Sequence, residues 1–194
     1  MARGFSEQEL TEIRKQLIDE ARNQYRTRGF KTGIKDLTDA IGIAPGSFYK
    51  FYSSKEELIF TILEEEEVSI KETLFNEFNQ VTFTSPEEIA SFLIRGIELA
   101  NGNPFIELMM SPIQMSAISR KVPNELLERH MNRDQFSLEK LLPLKNHPHK
   151  ETIGSAVRAF FLLTMHKREI GEDEFQNTLH FYANALAHEI LREE

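Results

Sequence analysis

The residues best suited to recognition chemistry lie between Gly29 and Leu58, in the run GFKTGIKDLTDAIGIAPGSFYKFYSSKEEL. A helical pattern over 34–41, a turn at Gly42-Ile43-Ala44 and a second short helical pattern over 45–51 have the spacing of a helix-turn-helix. Gly42 supplies the left-handed conformation that lets the chain reverse. Ile34, Leu37 and Ile41 face inward from the first pattern, and Ile43 and Phe48 lock the second against it. Ser47, Tyr49 and Lys50, with the backbone at Pro45 and Gly46, are left on the outward side. Hydroxyls and an ammonium on a protruding helix bond base edges and phosphates, and a tyrosine ring packs on sugar or a thymine methyl. Tyr52 has the same chemistry, and its placement is open between core and contact. Phe48 and Phe51 are assigned to the core.

Other chemistries find little support. Cysteine is absent, which excludes disulfides, thiolate zinc sites, iron–sulfur clusters and a cysteine nucleophile. No Gly-rich phosphate loop, Gly-x-Ser-x-Gly elbow or His-Glu-x-x-His pattern occurs. His180 and His188 lie two helical turns apart, and His147 and His149 sit near Glu151, but neither set shows three converging ligands. The run Glu64 to Glu67 points in four directions on a helix and is read as a solvated face. The chain is therefore expected to be no enzyme and to carry no cofactor and no metal.

The elements that must position the Gly29–Leu58 segment read as helices throughout, so the fold class is all-α. Ser6-Glu7-Gln8-Glu9 is a capping box with Phe5 and Leu10 as its hydrophobic staple, starting a helix at Glu7 that stops at Gly29. Ser54-Lys55-Glu56-Glu57 caps a longer helix with the apolar face Leu58, Ile62, Ile70, Leu74 and Phe78, ending near Gln80. Ser85-Pro86-Glu87-Glu88 opens a helix that ends near Asn101-Gly102. One or two short helices fill 104–120, a helix runs from Pro123 to about Leu142, and Pro143 to His149 is a loop. Helices over 150–168 and 173–192 close the chain, the second capped by Asp173-Glu174-Phe175-Gln176.

Charge separates two regions. The chain has 194 residues and a formal charge of −8, which taken whole argues against nucleic acid. Residues 1–58 carry ten Lys and Arg against nine Asp and Glu, whereas 59–194 carry 13 against 22. A near-neutral head thus precedes an acidic body. The start of the sequence lacks the apolar core of a signal peptide and no run approaches a membrane span, so a cytoplasmic setting without membrane contact is expected.

From Phe30 to Leu58 the pattern aromatic-x-Thr-x-Ile-x-x-Leu-x-x-x-Ile-Gly-Ile-x-x-Gly-Ser-Phe-Tyr-x-Phe-Tyr-x-Ser-Lys-Glu-Glu-Leu resembles the TetR family of bacterial transcriptional regulators. The resemblance implies a helix-turn-helix DNA-binding domain at 1–53 and a helical ligand-binding and dimerisation domain at 54–194. It also implies a homodimer on a palindromic operator, with one recognition helix per subunit in successive major grooves. Such a regulator, most often a repressor, is released by a small-molecule effector. Carried over by position, Pro45, Gly46, Ser47, Tyr49 and Lys50 lie at base edges, while Thr32 and Lys55 hold phosphates. Lys55 stands in the first turn of a helix, where the amide dipoles already favour an anion. The sequence departs from the family at Ala44, where a capping serine is common and Pro45 compensates, and at Gly33, where a hydroxyl residue is usual.

In the acidic part the resemblance implies a ligand pocket and a dimer-forming pair of final helices. Candidate pocket walls are Phe92, Phe105, Met109, Met110, Met115, Phe136, Phe161 and Met165, adaptable apolar side chains, with Arg95, Glu98 and Glu107 as polar selectors. The candidate interface is the stripe Leu179, Tyr182, Ala183, Leu186 and Ile190, with Ile153, Val157 and Phe160 on the preceding helix. The same stripes would serve equally to close the monomer's core. A competing function is a helical protein-interaction adaptor in which the helix-turn-helix is only a scaffold.

Overall fold

The computed structural model describes residues 5–78, 80–130, 132 and 142–192, and among them there are helices and connecting turns but no strand. Helix α1 spans Glu7–Arg28, and its capping box is complete: the Ser6 hydroxyl accepts from the Glu9 amide, and Glu9 accepts from the Ser6 amide. Gly29, at φ 73°, stops it, and its amide donates to the Tyr25 carbonyl at 3.0 Å. Helix α2 (Ile34–Ala40) and a 3-10 helix (Pro45–Lys50) follow, then α3 (Lys55–Phe78) and α4 (Pro86–Ala100). Next come α5 (Pro104–Met110), α6 (Pro112–Ser119) and α7 (124–130). After the 142–149 loop come α8 (Lys150–Leu162), a 3-10 turn (Leu163–His166), the single turn α9 (Lys167–Ile170) and α10 (Phe175–Ile190).

Some boundaries differ from those expected. The helix predicted over 150–168 leaves α-geometry at Leu162, and α10 begins at Phe175 without the Asp173 box. The Asn177 side-chain amide donates to Glu174 there instead, at 2.9 Å. At α3 the Ser54 hydroxyl caps the Glu57 amide at 3.0 Å, while the Glu57 carboxylate reaches one residue further back, to the Ser53 amide at 2.6 Å. The second half of the helix predicted from Pro123 to Leu142 lies outside the described residues.

Two apolar cores sit at either end of α3. The first joins Leu17, Ala21 and Tyr25 of α1, Leu37 of α2, Phe48 and Phe51, and Leu58 to Leu63 of α3. It also takes in Phe105, Leu108, Ile118 and Val122, so α5 and α6 pack with the helix-turn-helix. The second core joins Leu74 of α3 to α4, α8 and α10, and among the described residues the α4–α10 packing is the most extensive. The division between the two cores therefore falls inside α3.

Between the two cores the glutamate run of α3 is not the solvated face expected. Its carboxylates do diverge, as 100° per residue requires, but most meet a neighbouring element before they meet water. Glu66 is buried and accepts from Arg22 Nε at 2.7 Å, Arg26 at 2.8 Å and the Asn103 side-chain amide at 2.6 Å. Glu65 takes the other end of the Arg22 fork at 2.8 Å. Glu64 faces Arg129 at 3.4 Å, and Glu67 faces His130 at 3.5 Å. Cations on α1 and α7 were available to the run, which single-helix reasoning did not register.

Candidate nucleic-acid interface

The recognition segment is held by its own core side chain. After α2, Gly42 at φ 73° reverses the chain, and the Ile43 amide returns to the Thr38 carbonyl at 3.0 Å. Ala44 offers no side-chain cap, and Pro45 occupies the first position, where a missing N–H costs nothing. The segment winds as a 3-10 helix rather than the expected α-helix, so its side chains repeat every three residues. Phe48 and Phe51 therefore share the buried face. Truncating Phe48 to alanine would cost about 3–5 kcal/mol, by analogy with other fully buried aromatics.

The opposite face is the exposed one. Tyr49 is 61% exposed, with its ring edge-on to Phe48 at 5.6 Å between centroids. Pro45, Gly46 and Lys50 are exposed and Ser47 half-buried. A Cβ built on Gly46 would meet nothing within 4 Å, so the backbone there is bare on its outer side. The Lys50 ammonium lies 5.1 Å from the centroid of the Phe5 ring, which also packs 6.4 Å from Phe51. Phe5 thus links the start of α1 to the reading face, a role that the staple reading left out.

Tyr52 is buried. Its ring sits 5.9 Å from Phe48, with the Arg14 guanidinium 5.8 Å over it, and its hydroxyl has no hydrogen-bond partner. Desolvation pushes this phenol up to about 12; the Arg14 charge opposes that shift and the Glu65 and Glu57 carboxylates add to it. The Tyr25 hydroxyl is likewise buried and unpartnered, and burial drives its pKa up as well, with Glu56 adding to the effect.

The two residues assigned to phosphates both have partners within the chain. Thr32 is buried, with its hydroxyl donating to the Gly29 carbonyl at 3.2 Å. The Lys55 ammonium donates to the Phe30 carbonyl at 2.8 Å and to the Thr32 carbonyl at 3.2 Å. Both are engaged inside the turn between α1 and α2, because this turn has free carbonyls and α3 begins beside it. Gly33 offers α2 no side-chain cap, and the Asp36 carboxylate accepts from the Gly33 amide at 2.8 Å.

The candidate pocket residues are not gathered into one cavity. Phe105, Met109 and Met115 belong to the first core, and Phe92 and Phe161 to the second. Met110 accepts from the Thr164 hydroxyl at 3.6 Å, and Phe161 packs onto Gly96, where a Cβ would come within 3.0 Å of the ring. Phe136 and the Met165 side chain lie outside the described residues. A recess of about 510 Å³, open to solvent, lies between α3, α4 and α10 and is lined by Phe78, Ile94, Arg95, Glu98, His180 and Asn184 among others. Two of the polar selectors are there, and Arg95 is already paired with Glu77 at 2.8 Å and Glu98 at 3.2 Å.

Most of the candidate dimer stripe is internal. Ile153, Val157, Phe160, Leu179, Ala183 and Ile190 are buried in the second core of the same chain, where α10 packs on both α4 and α8, and Leu186 is partly so. Tyr182 is 46% exposed. The apolar residues facing outward on this pair of helices are Phe181, at 69%, and Leu162, at 51%. The spacing showed a stripe on each helix, but not which of two apolar strips the chain would use for itself.

Residues 17–62 match the family model of bacterial regulatory proteins of the tetR family. The HTH-type transcriptional repressor KstR2 of Mycolicibacterium smegmatis is 33% identical over 78 residues, a match covering 39% of this chain and 36% of that protein. Over residues 17–62 the chain is thus similar to the bacterial regulatory proteins of the tetR family, and it spans about a third of the length of the curated relative it matches. Among the described residues no helix is long and apolar enough to cross a membrane.

Proposed function

We propose that the chain is a DNA-binding transcriptional repressor of the cytoplasm. It acts as a homodimer on a palindromic operator and is released by a small-molecule effector. The observation that carries the reading is the exposed edge of Pro45, Gly46, Ser47, Tyr49 and Lys50, mounted on the buried Phe48 and lying within the residues matched by the family model. On this reading Tyr49 and Lys50 touch base edges in the major groove, and each bidentate or methyl contact contributes about 1–3 kcal/mol of discrimination. The effector acts by population shift: it binds better to a form whose two reading edges are wrongly spaced, and lowers operator affinity by that difference and no more.

The test is binding to duplexes carrying the chain's own upstream region against random duplex at moderate salt. A preference of at least tenfold is expected, and equal affinity would remove the specific-regulator reading. Replacing Tyr49 and Lys50 together should abolish the preference while leaving thermal stability unchanged. DNA affinity that survives the double replacement unaltered would transfer the role to protein interaction through the acidic body.

A further inference from the structure

We infer that Phe5 is a positioning residue for Lys50: its ring holds the lysine's ammonium at the reading edge by a cation–π contact and so fixes where Lys50 meets a base pair. The inference rests on the DNA-binding reading for its functional consequence, though not for the contact itself.

The ring is held from behind. Phe5 precedes the Ser6 cap of α1, whose extended backbone is pinned by the reciprocal bonds with Glu9. From there the ring packs 6.4 Å from Phe51, which is buried in the first core. Lys50, one residue earlier in the recognition segment, is exposed and carries its ammonium to 5.1 Å from the centroid of the same ring. The residue that leads into α1 is thereby seated between a core side chain and a reading side chain.

How the ammonium is held decides what it can do next. Other cations of the head meet carboxylates: Arg22 and Arg26 meet Glu66, and Lys35 meets Asp39. Among the described residues no carboxylate pairs with Lys50. A carboxylate would occupy N–H donors of the ammonium and cancel its charge, leaving little for a nucleic acid. A ring attracts the same charge through its quadrupole, and the N–H groups turned away from it stay available to base or phosphate acceptors. Arg14 is held in the same way, with its guanidinium 5.8 Å over the Tyr52 ring. Fixing a long, flexible side chain before binding also removes part of the ordering cost that contact with DNA carries. Phe5 therefore acts on recognition through Lys50.

The experiment compares Phe5→Leu, which keeps an apolar contact with Phe51 and removes the ring, with Phe5→Tyr, which keeps the ring, each alone and combined with Lys50→Met. Without DNA, the Lys50 ε-methylene protons of the wild type should resonate upfield of those of a free lysine side chain, shifted by the Phe5 ring current. Phe5→Leu should abolish that shift and Phe5→Tyr retain it; a wild type without the shift would overturn the inference. The DNA probe is a duplex selected by the wild-type protein from a random-sequence pool. Phe5→Leu should lower its affinity by roughly two- to fivefold per half-site, the equivalent of one exposed cation–π contact, with Phe5→Tyr close to the wild type. In the Lys50→Met background the same substitution should have no further effect, and Phe5→Leu and Lys50→Met should relax preference at the same base pair. An equal loss in both backgrounds would overturn the inference, because Phe5 would then act through the fold of α1. A gain in affinity would overturn it as well, because the ring would then be drawing the ammonium away from DNA. If the wild-type protein selects no duplex, the DNA-binding reading fails while the proton shift still decides the contact.

Discussion

Among the tyrosines of the head, Tyr49 is exposed and Tyr25 and Tyr52 bury their hydroxyls without partners. An orphaned buried hydroxyl costs about 1–3 kcal/mol, so replacing Tyr52 by phenylalanine, which keeps the ring against Phe48 and Arg14, should be neutral or stabilising at pH 7. Alkali sharpens the contrast. Burial raises the folded-state pKa of Tyr52 from 10.0 to about 12, so its contribution is whole below pH 10 and is lost as pH climbs from 10 to 12, when an unfolded phenol ionises and a folded one resists. Circular dichroism over that range should show Tyr25→Phe/Tyr52→Phe unfolding at higher pH than the wild type. Coincident curves would mean that the two hydroxyls reach water after all. The sequence left Tyr52 undecided because the answer depends on helix type. A strict three-residue repeat would set Tyr52 beside the exposed Tyr49, but the segment closes with the Tyr52 amide donating to the Phe48 carbonyl, four residues back, at 3.2 Å, and this wider turn brings Tyr52 against Phe48 in the core.

Local signals marked the helix starts well, because caps are decided within four residues of sequence: Ser6, Ser54 and Ser85 each cap the helix expected of them. What lies between α1 and α3 is a long-range matter and was not legible. Glu66 was read as solvated, yet it gathers Arg22 and Arg26 of α1 and Asn103, the cap of α5, around one carboxylate. Three elements are thereby docked by a single side chain that is nearly buried, while both arginines keep partial access to water. Removing the carboxylate leaves the Asn103 amide and Arg22 without their shared acceptor, and Glu66→Ala should lower stability by about 2 kcal/mol. Chemical denaturation provides the check. A cycle with Asn103→Ala should show coupling, since the pair is in direct contact; additive losses would mean that α5 is held by its apolar contacts through Phe105 and Leu108. Glu56 adds a weaker docking point. Its burial is the largest single influence and raises the carboxyl's pKa, but the Lys121 hydrogen bond at 2.8 Å, the Glu56 backbone amide and the charges of Lys121 and Lys55 together outweigh that and leave it below the usual value, so this tie is present above about pH 4 and lost as acid protonates it.

Over the whole molecule, the charge of −8 and the exposed aromatic residues point to opposite uses of the two ends. The acidic body repels a duplex, which leaves the near-neutral head as the approachable surface and makes the orientation on DNA a consequence of charge. At the body's other face, the stripe buried against α4 cannot serve a second copy, and Phe181 with Tyr182, their rings 5.8 Å apart and edge to face, takes its place as the proposed dimer contact, with Leu162 on the adjoining helix. A large exposed aromatic beside a second one is a poor surface for a monomer and a good anchor for a symmetric interface, where each copy offers the same patch. Phe181→Glu tests this cleanly because the position is outside the core. Sedimentation should show the dimer replaced by a monomer at micromolar concentration, with the melting temperature of the monomer fold little changed. Operator binding should fall by more than tenfold, since two half-sites held by one dimer are replaced by two independent encounters. A variant that remains dimeric would place the interface on another face of the body. A variant that becomes monomeric but binds its operator as before would show that one reading edge suffices, and the palindrome would no longer be required.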